Sequence, residues 1–333
     1  MTAPHIALPT ARSPMRSVTL PLIVACALCR ATVSQDPPGA LVNYTAVRLA
    51  VTQVLAMFPP PLLEKSIAPR VLRLAWHSSA TYSSGQAPVG GTSGATMRFA
   101  PESAYFSNRG LDLARDAISG IVDEHPGLTY SDLWVLAGYA AIEHMGGPSI
   151  DFRGGRIDRV DEPGVCPPES RIPSWNLTLP SLRDVFSRYG IGDRGLVALL
   201  GAHSVGHTHK EISGMPFYQW DTTPDTFDNI YYQFLVNQAW QYDEDGMCDG
   251  VSCRFYFNRS WIMLLTDIML RDEGALRLIV QEYADDEAKW HADFAAAFKT
   301  ITELGLPDVM RENRLRVVKA GCPFANSGKP CPH

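Results

Sequence analysis

The sequence predicts a mostly α-helical domain, on three observations. Apolar residues recur at the helical period in many separate segments, strand signals are few, and loops rich in Gly, Pro and Ser divide the segments. Helices are read over 44–57, 67–80, 112–124, 130–145, 180–189, 194–205, 226–239, 259–270 and 274–304, the last broken near Asp285. In the first of them Val47, Leu49, Ala50, Val54 and Leu55 supply the apolar face. The long loops 83–95 and 146–175 are where a helical enzyme would hold a cofactor. Residues 40–306 are read as the folded domain and 307–333 as an irregular tail.

The 333 residues are 46% hydrophobic and 19% charged, enough apolar material for a large core. A formal charge of -6 without a basic cluster excludes nucleic acid as a partner. No apolar run reaches the roughly 18 residues of a membrane span, so no membrane partner is expected.

Residues 1–34 are read as a signal peptide with an N-terminal extension. Met15-Arg16 precedes the apolar run from Val18 to Leu28, and Cys29-Arg30-Ala31 offers a small-residue cleavage site. A buried helix or a mitochondrial presequence is the alternative. Sequons at Asn43, Asn176 and Asn258 agree with secretion and glycosylation, and a secreted location is expected. Disulfides are expected too: Cys248 with Cys253 and Cys322 with Cys331 could close small loops, leaving Cys166 over, while a pairing of Cys166 with the tail is equally allowed.

Two segments carry chemistry. In Val71-Leu72-Arg73-Leu74-Ala75-Trp76-His77, the Arg, Trp and His stand at i, i+3 and i+4, on one helix face. A cation and an imidazole on an otherwise apolar helix must find buried partners or line a cavity, because burying a lone charge is costly. The second segment, Gly201-Ala202-His203-Ser204-Val205-Gly206-His207-Thr208-His209, closes a hydrophobic helix with three histidines in seven residues. His203 and His207 have the spacing of a zinc-binding helix pair, so a zinc hydrolase is a rival reading. It fits poorly, since the zincin pattern needs Glu where Ser204 stands.

Together the two segments resemble the plant, fungal and bacterial haem peroxidase superfamily. Leu-Arg-Leu-Ala-Trp-His-Ser-Ser-Ala-Thr-Tyr is similar to its class I members, the ascorbate and cytochrome c peroxidases, and Gly-Ala-His-Ser-Val-Gly-x-Thr-His to its proximal motif. Gly90–Phe99, Ser107–Leu111, Gly155–Asp158, Arg171–Pro173 and Glu282–Asp286 extend the likeness over about 45–305.

The resemblance implies a two-lobed helical fold with haem b between distal and proximal lobes, and reduction of hydrogen peroxide with one-electron oxidation of a small phenolic-type donor. It implies that His77 shuttles the peroxide proton, that Asn108 holds the far ring nitrogen of His77, that Arg73 stabilises developing charge and that Trp76 packs over the haem. His203 becomes the axial iron ligand and Asp267 its carboxylate partner. Trp220 matches the proximal Trp of class I, which could hydrogen-bond Asp267 and host a radical, or simply fill space beneath the haem. His209 and Ser213 match positions near a haem propionate.

Ser204, Asp221, Thr223, Thr226 and Asp228 match the proximal calcium ligands of the secreted class II enzymes, a hard-oxygen set suited to one calcium ion. A class I core with this loop and a signal peptide most resembles secreted fungal hybrid-type peroxidases. Departures bear on the donor. Ile212 stands where ascorbate peroxidases carry an Arg, Ser66 and Arg70 where manganese peroxidases carry acids, and Ala198 where lignin peroxidases carry a surface Trp. A haem-binding protein with little turnover is the remaining alternative.

Overall fold

The computed structural model describes residues 42–57, 66–159, 166–213, 215, 217–242, 255–257, 260–306 and 317–318. All lie in the compact unit 39–333. Four helices come first: α1 (Tyr44–Met57), α2 (Ala68–Ala80), α3 (Leu111–Glu124) and α4 (Tyr130–His144). After a two-residue strand β1 (Phe152–Arg153) follow α5 (Leu179–Ser187), α6 (Asp193–Leu200), the short α7 (Lys210–Ser213) and α8 (Ile230–Asn237). Strands β2 (Gln241–Tyr242), β3 (Phe255–Phe257) and β4 (Trp261–Met263) form a small antiparallel sheet in the order β2-β3-β4. Helices α9 (Leu265–Asp272), α10 (Gly274–Asp285) and α11 (Glu287–Thr302) precede β5 (Val317–Val318), which pairs antiparallel with β1.

Helices α1 to α4 pack on one another, and α6, α8, α10 and α11 form a second group that reaches α2 through α11. The helix α4 is buried almost all round and acts as the post of the first group. Its start is fixed locally: Thr129 accepts from the Asp132 amide at 3.1 Å, and the Asp158 carboxylate accepts from the amides of Tyr130 (2.8 Å) and Ser131 (2.9 Å). At Gly138 the chain needs glycine, because an added Cβ would collide with the Cβ of Ala75 on α2. That close approach sets the depth at which α2 presents Trp76 and His77.

Asp132 ties the first group together from inside. Its carboxylate, 1% exposed, accepts from Arg156 Nη1 (2.9 Å) and the amides of Gly155 (2.7 Å) and Arg156 (3.1 Å), and from the Tyr44 hydroxyl (2.6 Å). Four donors on one buried carboxylate offset the desolvation that a bare ion pair would not repay.

Three helices differ from the sequence expectation, each for a local reason. The segment expected as 194–205 stays α-helical only to Leu200 and tightens into a 3-10 turn over Gly201–Ser204. The helix expected from 226 starts at Ile230, because Asp228 accepts from the Ile230 amide at 3.1 Å and holds 223–228 as a loop. The helix expected from 259 begins as β4, where Trp261, Ile262 and Met263 pair with β3. The break near Asp285 falls at Asp286, whose side chain caps α11 through the Lys289 amide at 3.0 Å. The tail expected to be irregular contains β5.

Candidate active site

Helix α2 delivers the distal groups. His77, buried, donates from Nδ1 to Asn108 Oδ1 at 2.9 Å, and Asn108 Nδ2 donates to the Glu102 carbonyl at 2.9 Å. This chain of bonds fixes the tautomer, leaving Nε2 of His77 unprotonated. Burial first, then the charge of Arg73, push the imidazole down to about 3, so it is neutral at physiological pH. Arg73 donates to the carbonyls of Ser107 and Arg109, the latter at 3.0 Å, and burial lowers its pKa to about 10, so the cation persists. Trp76 leans on Phe186, ring centroids 6.1 Å apart, and is partly exposed where it lines the cavity.

The proximal groups sit on the turn after α6. Gly201 starts it, since an added Cβ there would strike the Tyr232 hydroxyl and the Trp290 ring. His203 donates from Nδ1 to Asp267 Oδ1 at 2.9 Å. Asp267 is wholly buried, and its Oδ2 accepts from the Leu264 amide at 2.7 Å at the start of α9. Trp220 lies parallel to the His203 ring, 4.2 Å between centroids and 8° between planes. Its indole makes no hydrogen bond to Asp267 among the described residues. Tyr231 does instead: its hydroxyl donates to Asp267 Oδ1 at 2.8 Å. The sequence reading missed Tyr231, which only the α8 register could have signalled, as α8 begins later than expected.

One cavity of about 1340 Å³ joins the two sets. Arg73, Trp76 and His77 line it on one side, His203 and Trp220 on the other, with apolar walls from Phe186, Leu199 and Val205 among others. A flat hydrophobic cofactor with a metal fits this space: the free imidazole nitrogen of a carboxylate-backed histidine faces in, the walls are apolar, and polar donors gather at one end. That end carries Arg70, which donates to His209 Nε2 at 2.8 Å, and Ser213, whose hydroxyl donates to the His209 carbonyl at 2.9 Å. The haem-binding residues named from the sequence thus fit haem b.

The geometry does not support a zinc pair. Gly206 at φ 83° and extended Val205 separate His203 from His207, so the two are not on one α-helical face. The His207 ring packs on His209 and Phe217, with centroids 4.2 and 4.3 Å away. Among the described residues no three of His, Cys, Asp and Glu converge to hold a metal.

The loop 221–228 brings most of the expected oxygen donors together. Thr223 Oγ1 donates to Asp221 Oδ1 (3.2 Å) and lies 3.1 Å from Asp228 Oδ1. Asp221 Oδ2 and Ser204 Oγ are buried without hydrogen-bond partners. The Asp221 carboxyl is pushed up to about 7, chiefly by burial and further by the charge of Asp228. Thr226 is exposed and joins through its main chain, its amide bonding the Thr223 carbonyl at 2.8 Å.

Comparison with known proteins decides the family. Residues 47–286 match the family described as Peroxidase. The chain belongs to the peroxidase family. It is 43% identical over 244 residues to a Candida albicans protein named as a heme-binding peroxidase, covering 72% of this chain and 81% of the relative. It is 38% identical to the mitochondrial cytochrome c peroxidases of Pyricularia oryzae (74% of this chain, 67% of the relative) and Aspergillus fumigatus (73% and 64%). This peroxidase is class I-like, mostly helical and haem-dependent.

One expectation is overturned. The secreted location does not stand, because relatives matched over about three quarters of the peroxidase are mitochondrial enzymes. The first acidic residue of the chain is Asp36, and Arg12, Arg16 and Arg30 precede it among Ser and Thr. Low acid content with Arg and Ser is a composition found in mitochondrial presequences, the alternative the sequence offers beside a signal peptide. The residues read as a signal, Asn258 and the two expected cysteine pairs lie outside the described residues. Cys166 is a free thiol. Among the described residues no helix is long and apolar enough to cross a membrane.

Proposed function

We propose that this peroxidase reduces hydrogen peroxide to water at a haem held between His77 and His203, and takes single electrons from a small phenolic-type donor. The observation that carries the reading is the single cavity joining a neutral, tautomer-fixed His77 to a carboxylate-backed His203. Haem, when bound, supplies the iron at which the oxygen–oxygen bond breaks. His77 Nε2 takes the proton of the incoming peroxide and returns it to the leaving oxygen. Arg73 offers a fixed cation to the charge that develops as that bond lengthens. His203 would hold the iron, and Asp267, drawing on its Nδ1 proton, makes the imidazole a stronger electron donor. Trp76 lines the cavity on the His77 side, Trp220 supports the His203 ring, and Arg70, His209 and Ser213 would hold the carboxylates of a bound haem.

For the donor, the half-buried to exposed apolar side chains Met57, Phe106 and Leu113 line the cavity and favour a small aromatic reductant. A second reading, cytochrome c as donor, is favoured by the names of the relatives and by a mitochondrial location, which we also infer from them. Steady-state turnover of reconstituted enzyme with guaiacol and with reduced cytochrome c separates the two. Faster turnover with guaiacol supports the small-donor reading, and turnover with cytochrome c alone overturns it.

One calcium ion at Ser204, Asp221, Thr223, Thr226 and Asp228 completes the proposal. The unpartnered buried oxygens of Ser204 and Asp221, beside the second carboxylate of Asp228, are the chemistry of a hard-cation site. Such an ion would brace the loop against the His203 turn, where the Gly206 amide already bonds the Pro224 carbonyl at 2.7 Å.

A further inference from the structure

A buried tyrosine can be oxidised at modest cost only when its hydroxyl proton has a base to go to, because the bare phenol radical cation is a strong acid in a medium that solvates charge poorly. The buried tyrosines here differ in this respect. Tyr232 donates to the Val197 carbonyl (2.8 Å) and Tyr189 to the Ala80 carbonyl (2.7 Å), neither of which is a proton acceptor of useful strength. Tyr231 donates to a carboxylate, Asp267 Oδ1, at 2.8 Å, as the buried Tyr283 does to Asp293 Oδ2 at 2.9 Å. Tyr231 is also the tyrosine beside the proximal histidine, its ring 6.1 Å from that of His203 by centroids and edge-on to it.

We infer that Tyr231 is a proton-coupled redox residue of the proximal site. The inference rests on the haem reading above. Tyr231 gives one electron to the peroxide-oxidised haem centre and its hydroxyl proton to Asp267 Oδ1. The O–H bond breaks, the carboxylate becomes a neutral acid, and a neutral tyrosyl radical remains. The oxidant is supplied by the peroxidase reaction itself.

Two features of the site support this assignment over Trp220. The indole stacks on His203 but has no hydrogen bond to Asp267 among the described residues, while both carboxylate oxygens are occupied by His203, Tyr231 and the Leu264 amide. Wholly buried, the radical would be shielded from donors in solution.

Freeze-quench electron paramagnetic resonance of the holoenzyme, mixed with one equivalent of hydrogen peroxide, tests this. Enzyme carrying ring-deuterated tyrosine should show a narrowed radical signal, and that signal should be lost in Tyr231→Phe while Tyr232→Phe, Tyr283→Phe and Tyr44→Phe keep it. Tyr283 and Tyr44 are the informative controls, since they too donate to carboxylates, Tyr44 to Asp132 at 2.6 Å. A signal narrowed by ring-deuterated tryptophan instead, a signal persisting in Tyr231→Phe, or an optical reaction with peroxide but no protein radical would each overturn the inference. The labelled wild-type enzyme separates tyrosine from tryptophan even if Tyr231→Phe binds haem poorly, and loss of the tyrosine signal in Tyr232→Phe, Tyr283→Phe or Tyr44→Phe would then overturn the inference. Absence of any optical reaction with peroxide would overturn the haem reading and the inference with it.

Discussion

Replacing Asn108 by Leu keeps the volume of the side chain and removes the acceptor for His77 Nδ1. In the native protein that bond is 2.9 Å long between two residues 7% and 2% exposed, so no water stands ready to replace it. An unpartnered buried N–H costs about 1–3 kcal/mol. The imidazole can escape that cost by moving its proton to Nε2, the nitrogen that must accept from peroxide. An equilibrium shift of this size removes the active tautomer by roughly 5- to 150-fold, and the second-order rate with peroxide should fall accordingly. The fall should be smaller than that of His77→Ala, which removes an acid–base group worth about 100- to 10,000-fold. Stopped-flow absorbance at the Soret band measures both, and an unshifted resting spectrum shows that haem is retained. A wild-type rate in Asn108→Leu, or a loss as deep as in His77→Ala, would refute the tautomer argument.

Other perturbations have equally definite outcomes. Asp132→Asn should destabilise the fold by about 3–5 kcal/mol in chemical denaturation, because Arg156, 0% exposed at its side chain, is left as an uncompensated charge; a change under about 1 kcal/mol would contradict it. His77 has a folded pKa depressed to about 3 against an unfolded value near 6.5, so below pH 6.5 the unfolded chain binds a proton that the folded one refuses. Stability should therefore fall with decreasing pH through that window, by up to roughly 1.4 kcal/mol per unit, and His77→Gln should flatten the slope. Equal slopes in the two proteins would remove His77 as the cause. Chelation of calcium should lower the thermal midpoint and restoration of calcium should recover it, while Asp221→Asn should abolish the response; a midpoint indifferent to chelator would dismiss the calcium site.

Much of this was legible in the sequence because it is local. The i, i+3, i+4 spacing on α2 places Arg73, Trp76 and His77 on one face whatever else the chain does, and the Asp286 cap marks the break between α10 and α11. What was not legible depends on tertiary contacts. That Tyr231 rather than Trp220 bonds Asp267 follows from where α8 starts, and that start is set by Asp228 holding a loop. His203 and His207 look paired at helical spacing, and only the 3-10 turn and Gly206 separate them. The secreted location was misread for a different reason: the apolar run Val18 to Leu28 after a basic residue fits a signal peptide, the acid-poor, Arg-containing residues around it fit a presequence, and composition alone weighs the two poorly.

Peroxide chemistry here stands on two residues, His203 to hold a haem and His77 to let it react with peroxide. Haem-reconstituted protein mixed with hydrogen peroxide in a stopped-flow spectrophotometer tests it most directly. A Soret band should form and change in a rapid, second-order reaction with one equivalent of peroxide, and His203→Ala should lose or loosen the haem. A protein that forms no Soret band, or one whose band is indifferent to both peroxide and the loss of His203, would contradict it.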